Sequence, residues 1–190
     1  MIRFAKKEDE ASVIQLLMTI FYDMDLPFLQ KYGEKMTRQM LFSAMEHPDF
    51  RYHYQRGIVK EVDQQVVGIA FGYQHEVEAM IDLPFAEVLQ AKQLPASDNL
   101  YTEPETFPNE WYLDTLAVHQ DYQGQGIGSE LLTAVNQLAI KAEKPLLGLN
   151  VDQGNPKAKK LYQRLGFEVV GEIKIASHWY DHMQKNIANN

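Results

Sequence analysis

The stretch DYQGQGIGSELL, residues 121–132, is the tightest constraint on the fold. It sets Gly124, Gly126 and Gly128 at every second position, after the strand-like run WYLDTLAV and directly before an apolar helical pattern. Bare backbone at a strand-to-helix junction leaves the first helical amides uncovered. A dinucleotide fold asks there for G-x-G-x-x-G and an acid about 20 residues later. Here Ser129 stands in the third glycine's place, and about 60 residues remain, too few for the rest of a doubly wound sheet. A P-loop asks for Gly-Lys-Ser/Thr, which does not follow. What remains is a pyrophosphate held by exposed amides and the positive end of the helix dipole, without a lysine. The plain alternative is a glycine-rich turn with no ligand.

Composition limits the classes around that junction. A chain of 190 residues with 45% apolar and 23% charged residues is expected to fold as one domain with a substantial core. A net charge of -8 opposes non-specific nucleic-acid binding, which needs a basic face. With no cysteine, disulfides, thiolate metal sites and cysteine nucleophiles are excluded, and a reducing compartment fits. The start, MIRFAKKEDEASV, is charged and lacks an apolar leader, and no run approaches the ~18 apolar residues of a membrane span. These features predict a cytoplasmic protein with no nucleic-acid or membrane partner and no metal.

Along the chain, Ile2 to Ala5 reads as a short strand, and Val13, Leu16, Leu17, Ile20 and Phe21 recur at helical spacing. Residues 23–35 read as loop, and Met36, Met40, Leu41 and Ala44 predict a helix ending near His47-Pro48. Residues 52–62 and 66–73 predict a hairpin turning at Asp63-Gln64-Gln65. Residues 76–92 predict an irregular helix broken at Pro84, and 95–108 an irregular stretch rich in proline and acid. The second half alternates strand and helix. Its last helix is marked at both ends, by Asn155 as N-cap with Pro156 behind it, and by Gly166 just past its end.

Gln123, Gly126 and Gly128 match the Gln/Arg-x-x-Gly-x-Gly/Ala signature of the GNAT N-acyltransferases. The later stretch NPKAKKLYQRLGF, with Asn155, Ala158, Tyr162, Gly166 and Phe167, resembles the same family's later helix. The resemblance covers residues 110–170 and implies an α/β (α+β) fold over a single domain, 1–190. Its central twisted, mixed, mostly antiparallel sheet would be flanked by helices and carry a splayed pair of parallel strands, 111–118 and 146–151. Acetyl-CoA is the implied cosubstrate, held by a core over 110–170, with the acceptor side over 1–108. In such proteins the backbone at Leu116, Ala117 and Val118 meets the pantetheine arm. Amides of Gln123, Gly124, Gln125, Gly126, Ile127, Gly128 and Ser129 hold the pyrophosphate, and Asn150, Asn155, Ala158 and Lys160 complete the implied cofactor site. Gln123 stands where many members have arginine, and residues 93–140 contain no Lys or Arg. Any helping positive charge must come from elsewhere, with Lys157, Lys159, Lys160 and Arg164 as candidates, or these four form an ordinary solvated face.

Acyl transfer from a thioester to an amine needs a neutral amine, donors for the oxyanion and a stabilised thiolate. Asp114 and Glu110 are the acids nearest the junction, and the family often carries an acid where Asp114 stands. On a regular strand Tyr112, Asp114, Leu116 and Val118 share one face, opposite Trp111, Leu113, Thr115 and Ala117. Asp114 can equally be a structural acid, and His119, just past the strand, either titrates near neutrality or is simply exposed. Tyr162 resembles the family's proton donor to the sulfur; on the stripe Ala158, Leu161, Tyr162, Leu165 it can equally be a core aromatic. Moving a proton from tyrosine (pKa ~10) to a thiolate (~8.5) costs about 2 kcal/mol, so a hydrogen bond is the expected role.

Residues 93–140 hold seven acids and no base, a field suited to a cationic acceptor such as a small amine, a polyamine-like molecule or a peptide amine. The same run serves solubility. Phe21, Tyr22, Phe28, Tyr32 and His178-Trp179-Tyr180 are either acceptor-pocket or core residues. The expected activity is N-acetyl transfer to a primary amine. The other reading is an acetyl-CoA-binding regulatory module without acceptor chemistry. Exposed aromatic surface leaves a homodimer open.

Overall fold

The computed structural model describes residues 1–100, 103–175 and 177–188. Among these residues seven strands form one sheet: Ile2–Phe4 (β1), Gly57–Val62 (β2), Gln65–Gln74 (β3), Glu110–Val118 (β4), Leu146–Asp152 (β5), Glu168–Ile175 (β6) and His178–Asn186 (β7). Their order is β1-β2-β3-β4-β5-β7-β6, and all neighbours are antiparallel except β4 and β5. The helices are Glu10–Asp23 (α1), Pro27–Met45 (α2), Leu83–Ala91 (α3), Ile127–Lys141 (α4) and Pro156–Arg164 (α5). None among the described residues is long and apolar enough to cross a membrane.

The two faces of the sheet carry separate cores because strand side chains alternate. On one face α1, α2 and α3 bury Leu17, Leu41 and Phe85 against Val59, Ile69 and Phe71. On the other, α4 buries Leu131 and Val135 against Ala70, Leu149 and Met183, with Tyr162 of α5 packed beside them. The β2–β3 hairpin turns on Asp63 and Gln64, whose φ values of 49° and 63° give the two-residue turn that follows strand twist. Gln65 already belongs to β3.

Four expectations change. Most of residues 27–35 are helical, not loop: Pro27 opens α2, where its fixed φ is tolerated, and Gly33, with φ 75° and ψ 167°, is a non-helical kink between its two helical parts. Strand β2 begins at Gly57 rather than Tyr52, because 54–56 form a 3-10 turn and Arg51 and Tyr52 turn into the interior. Pro84 stands in the first turn of α3 and so starts a helix instead of breaking one. Of the acid-rich stretch 95–108, Ala96–Asp98 form a 3-10 turn, and Tyr101 and Thr102 lie outside the described residues.

The fourth change is in β4. Phe71 pairs with Thr115 and Gly72 with Leu113, so Asp114 is an extra residue in the strand. A one-residue insertion inverts the alternation beyond it. Trp111 and Leu113 therefore share the α4 side with Leu116 and Val118, while Ala117 joins the α1 side. The expected common face of Tyr112, Asp114, Leu116 and Val118 does not form, because a strict period of two presumes an unbulged strand.

Pairing of β4 with β5 runs from Glu110↔Leu146 to Leu113↔Leu149 and ends there. Beyond that point β4 stays with β3 and β5 with β7. The parallel strands part. Below the fork they are packed tightly, since a Cβ on Gly148 would collide with the Glu110 carboxylate. Gly148→Ala is expected to lower stability by about 1–3 kcal/mol through overpacking, read as a lower midpoint in urea unfolding. An unchanged midpoint would mean that Glu110 moves aside freely.

Candidate active site

The fork between β4 and β5 encloses a cavity of about 250 Å³. Residues from both sides of the sheet line it: Ile20, Phe21 and Asp23 of α1 with Met24 just past its end, and Ala158 and Tyr162 of α5. Its walls include Glu105, Tyr112, Asp114 and Leu116, then Asn150, Asp152, Asn155 and Tyr180. No lysine or arginine lines it among the described residues.

The sequence explains how α5 aims Tyr162. The Asn155 side chain accepts a hydrogen bond from the Ala158 amide at 3.1 Å, Pro156 fills the first helical position, and Gly166 takes a φ of 89° past the end. Tyr162 then packs edge-on to Phe167, with ring centroids 5.9 Å apart. Burial pushes its hydroxyl up to about 12, so it keeps its proton at neutral pH.

At the open end of β4 the glycines divide their work. Gly124 and Gly126 have φ values of 75° and 84°, which only glycine adopts without strain. Gly128 has no such requirement, and a Cβ there would meet nothing within 4 Å. Helix α4 starts after Gly126 with no side-chain cap. Gln123 ties the loop to the strand by donating to the Val118 carbonyl at 3.1 Å, and Gln125 donates to the Asp121 carbonyl at 3.3 Å. Ile127 anchors the first turn in the α4 core. Among the four basic residues of α5, Lys159 is committed to Asp181 at 2.5 Å, while Lys157, Lys160 and Arg164 border an exposed depression.

Behind the cavity lies a buried ion cluster that no local pattern announces. Arg51, with 2% of its side chain exposed, donates to both oxygens of Asp82 at 2.7 and 2.5 Å. Its Nη1 reaches Asp114 at 2.6 Å and Glu105 at 3.2 Å. Asp114 also accepts from the Thr115 hydroxyl at 2.8 Å. One guanidinium thus faces three carboxylates, with the Tyr73 ring 5.6 Å away. Burial raises both carboxyls that face the cavity against the pull of Arg51: Asp114 rises, and Glu105 is pushed up to about 7.

A second chain of hydrogen bonds runs from Glu105 through the fork. The Tyr112 hydroxyl donates to Glu105 Oε2 at 3.0 Å and accepts from Asn150 Nδ2 at 2.9 Å. The same Nδ2 donates to the Glu105 carbonyl at 3.0 Å, so Asn150 Oδ1 must face His182 Nδ1, 2.6 Å away. His182 Nε2 meets Glu110 Oε2 at 3.0 Å, and Glu110 also accepts from Gln184 at 2.8 Å and the Phe107 amide at 2.8 Å. Glu110 is wholly buried and is not part of the cavity wall.

The fork brings together Asp114, Leu116, Asn150, Asn155, Ala158 and Tyr162. Glu110, Lys160 and the 123–129 loop lie outside it, and Ala117 points into the core. His119 is in the turn beyond β4, where its ring accepts from the Asp121 amide at 3.3 Å. Sequence reading missed Arg51 as a site residue and counted Glu105 only within an acidic run. They are 54 residues apart, and only the tertiary fold joins them.

A sheet forked at its one parallel pair, with an uncapped glycine-opened helix start beyond the fork, is the architecture that the GNAT resemblance implied. The pattern of the Acetyltransferase (GNAT) family matches residues 16–167, and the chain belongs to that family of acyltransferase enzymes. A crystal structure described as an acetyltransferase is 44% identical, with a TM-score of 0.87 over 98% of this chain and 99% of that one. An N-acetyltransferase from Staphylococcus aureus Mu50 is 27% identical, with a TM-score of 0.87 over 97% of this chain and 99% of that one. The spermine/spermidine N(1)-acetyltransferase of Bacillus subtilis (strain 168) is 36% identical over 63 residues, 33% of this chain and 41% of that protein. That match spans less than half of the relative's length.

Arg51→Met would strand Asp82, Asp114 and Glu105 without their cation. The expected loss is about 3–5 kcal/mol. Carboxyls whose folded pKa is raised favour the folded state at low pH and oppose it as pH rises, so the loss should be greater at pH 8 than at pH 5. Urea unfolding at both values checks this; equal losses would contradict it.

Proposed function

We propose that the protein transfers the acetyl group of acetyl-CoA directly to a primary amine on a small cationic molecule or a peptide. The observation that carries this reading is the fork, which leaves the β4 edge from Asp114 to Val118 without a β5 partner. A pantetheine arm has the amides to complete such an edge at Leu116, Ala117 and Val118. Its pyrophosphate would meet the amides of 123–129 at the positive end of α4, with Lys160 and its basic neighbours supplying charge nearby. Asn150, Asn155 and Ala158 would bound the arm on the β5 side.

In this reading the thioester lies at the Tyr162 hydroxyl, which donates a hydrogen bond to the departing sulfur. An acceptor amine of pKa ~10.4 arrives protonated and must lose a proton before attack, to a cavity carboxylate or to water. Asp114 touches the cavity, whereas Glu110 supports its wall from behind. Asp23 and Asp152 give the cavity an acidic lining, and the likeness to a spermine/spermidine acetyltransferase supports a polyamine-like acceptor. A regulatory module would need only the donor site; ionisable groups buried at the acceptor end support an enzyme. The division into a donor core over 110–170 and an acceptor side over 1–108 belongs to the same reading. The cysteine-free composition supports a cytoplasmic setting.

Gly128→Leu is expected to weaken acetyl-CoA binding by about tenfold or more with little change in melting temperature, because it fills ligand space without backbone strain. Unaltered affinity in calorimetric titration would remove the pyrophosphate from this loop. Tyr162→Phe should lower kcat by about 10- to 1000-fold while acetyl-CoA still binds. Both variants would be followed by CoA release with a panel of primary amines, and an undiminished kcat in Tyr162→Phe would end the leaving-group role.

A further inference from the structure

The acetyl-transfer reading needs a proton acceptor, and the geometry points to Glu105 as that catalytic residue, with Tyr112 as the positioning residue that directs it. The inference rests on that reading and names a group outside the β4 positions where the family motif would seek an acid.

Among the described residues four carboxylates line the cavity: Asp23, Glu105, Asp114 and Asp152. Asp23 is exposed to solvent at the end of α1, and no neighbouring group among the described residues fixes its carboxylate. Asp152 is occupied on both oxygens, by the Gly154 amide at 2.6 Å and His178 at 2.9 Å. Asp114 is held by Arg51 at 2.6 Å and Thr115 at 2.8 Å. Glu105 is held more loosely. Arg51 reaches Oε1 at 3.2 Å and Tyr112 reaches Oε2 at 3.0 Å, both longer than the contacts that hold Asp152 and Asp114.

The residue is nevertheless fixed in place. Its amide donates to Glu78 at 2.7 Å, and its carbonyl accepts from Asn150 at 3.0 Å. The Tyr112 hydroxyl already accepts from Asn150, so its own hydrogen is directed at Glu105. Asn150 in turn is oriented by His182. The charged and titratable groups facing Glu105 come from every neighbouring segment: Arg51, Tyr73, Glu78, Asp82, Tyr112, Asp114 and Tyr180. Burial, Asp114 and Asp82 raise its affinity for a proton, while Arg51 and the Tyr112 hydrogen bond lower it, leaving a pKa of about 7. A base of that strength is half ionised at neutral pH and strong enough to help an ammonium release its proton.

The step balances. The acceptor R-NH3+ gives one proton to the Glu105 carboxylate. The freed nitrogen pair bonds the thioester carbon, the C–S pair leaves with sulfur, and a second proton from nitrogen ends on the thiolate beside Tyr162. Glu105 returns its proton to solvent, and the products are R-NH-acetyl, CoA-SH and H+.

The test is the pH profile of kcat/KM for CoA release, measured with acetyl-CoA and the best amine from a panel that includes spermine and 1,4-diaminobutane. In the wild type the rate should rise through an acid limb near pH 7 and level off well below the ~10.4 of a free amine. Glu105→Gln should lower the neutral-pH rate by about 100- to 1000-fold and remove the limb, so that the rate climbs towards the amine's own pKa. Tyr112→Phe, which keeps the carboxylate but not its donor, should move the limb to higher pH while its plateau stays within about tenfold of wild type. It tests the assignment even where Glu105→Gln fails to fold. A wild-type profile that climbs to the amine's pKa, or a limb that persists in Glu105→Gln, overturns the assignment and leaves acetyl transfer standing. No CoA release with any amine overturns the transfer reading and the assignment with it.

Discussion

The parting of β4 from β5 after Leu113 and Leu149 is the constraint on which the site depends. A sheet interior normally has no room for a ligand, because every strand edge is occupied and side chains fill both faces. Here β7 holds β5 and β3 holds β4, so the two strands can separate without the sheet losing its outer pairs. The fork opens a passage between the two cores, and that is why α1 and α5, on opposite faces, contribute to one cavity.

The bulge at Asp114 comes at the residue where the fork begins. It turns the acid out of the regular alternation and towards Arg51, while restoring Leu116 and Val118 to the α4 side. Three carboxylates around one buried guanidinium leave an excess of negative charge at the inner end of the cavity. Burial makes full ionisation of that set unfavourable, which is the physical origin of the raised Glu105 and Asp114 carboxyls. The Tyr112, Asn150 and His182 chain bridges the strands just at the fork and satisfies polar groups that separation would otherwise strand.

Much of the region 110–170 was legible in the chain. Glycines at 124 and 126 need a left-handed backbone, and Asn155, Pro156 and Gly166 mark both ends of α5, so local rules apply to each. The Asp63-Gln64 turn was legible for the same reason. The residues before 110 were much less so. Pro27 and Pro84 were read as loop or breaker because their tolerance in a first helical turn depends on where the helix begins. The Asp114 bulge was invisible because it is a mismatch between two strands, not a property of either one. Glu105 looked like one acid among seven, and Arg51 stood unremarked just before the strand expected from Tyr52.

Local sequence is enough to specify the glycine-opened helix start, the capped helix that carries Tyr162, and the family that these two motifs mark. Each is set by backbone conformations and hydrogen bonds between residues a few positions apart. Which acids face the cavity, and the raised proton affinity of Glu105 and Asp114, come only with the folded sheet. Desolvation and the approach of Arg51, Asp82, Tyr112 and Asn150 to Glu105 arise from chain segments tens of residues away, and they exist only once the sheet has formed around the fork.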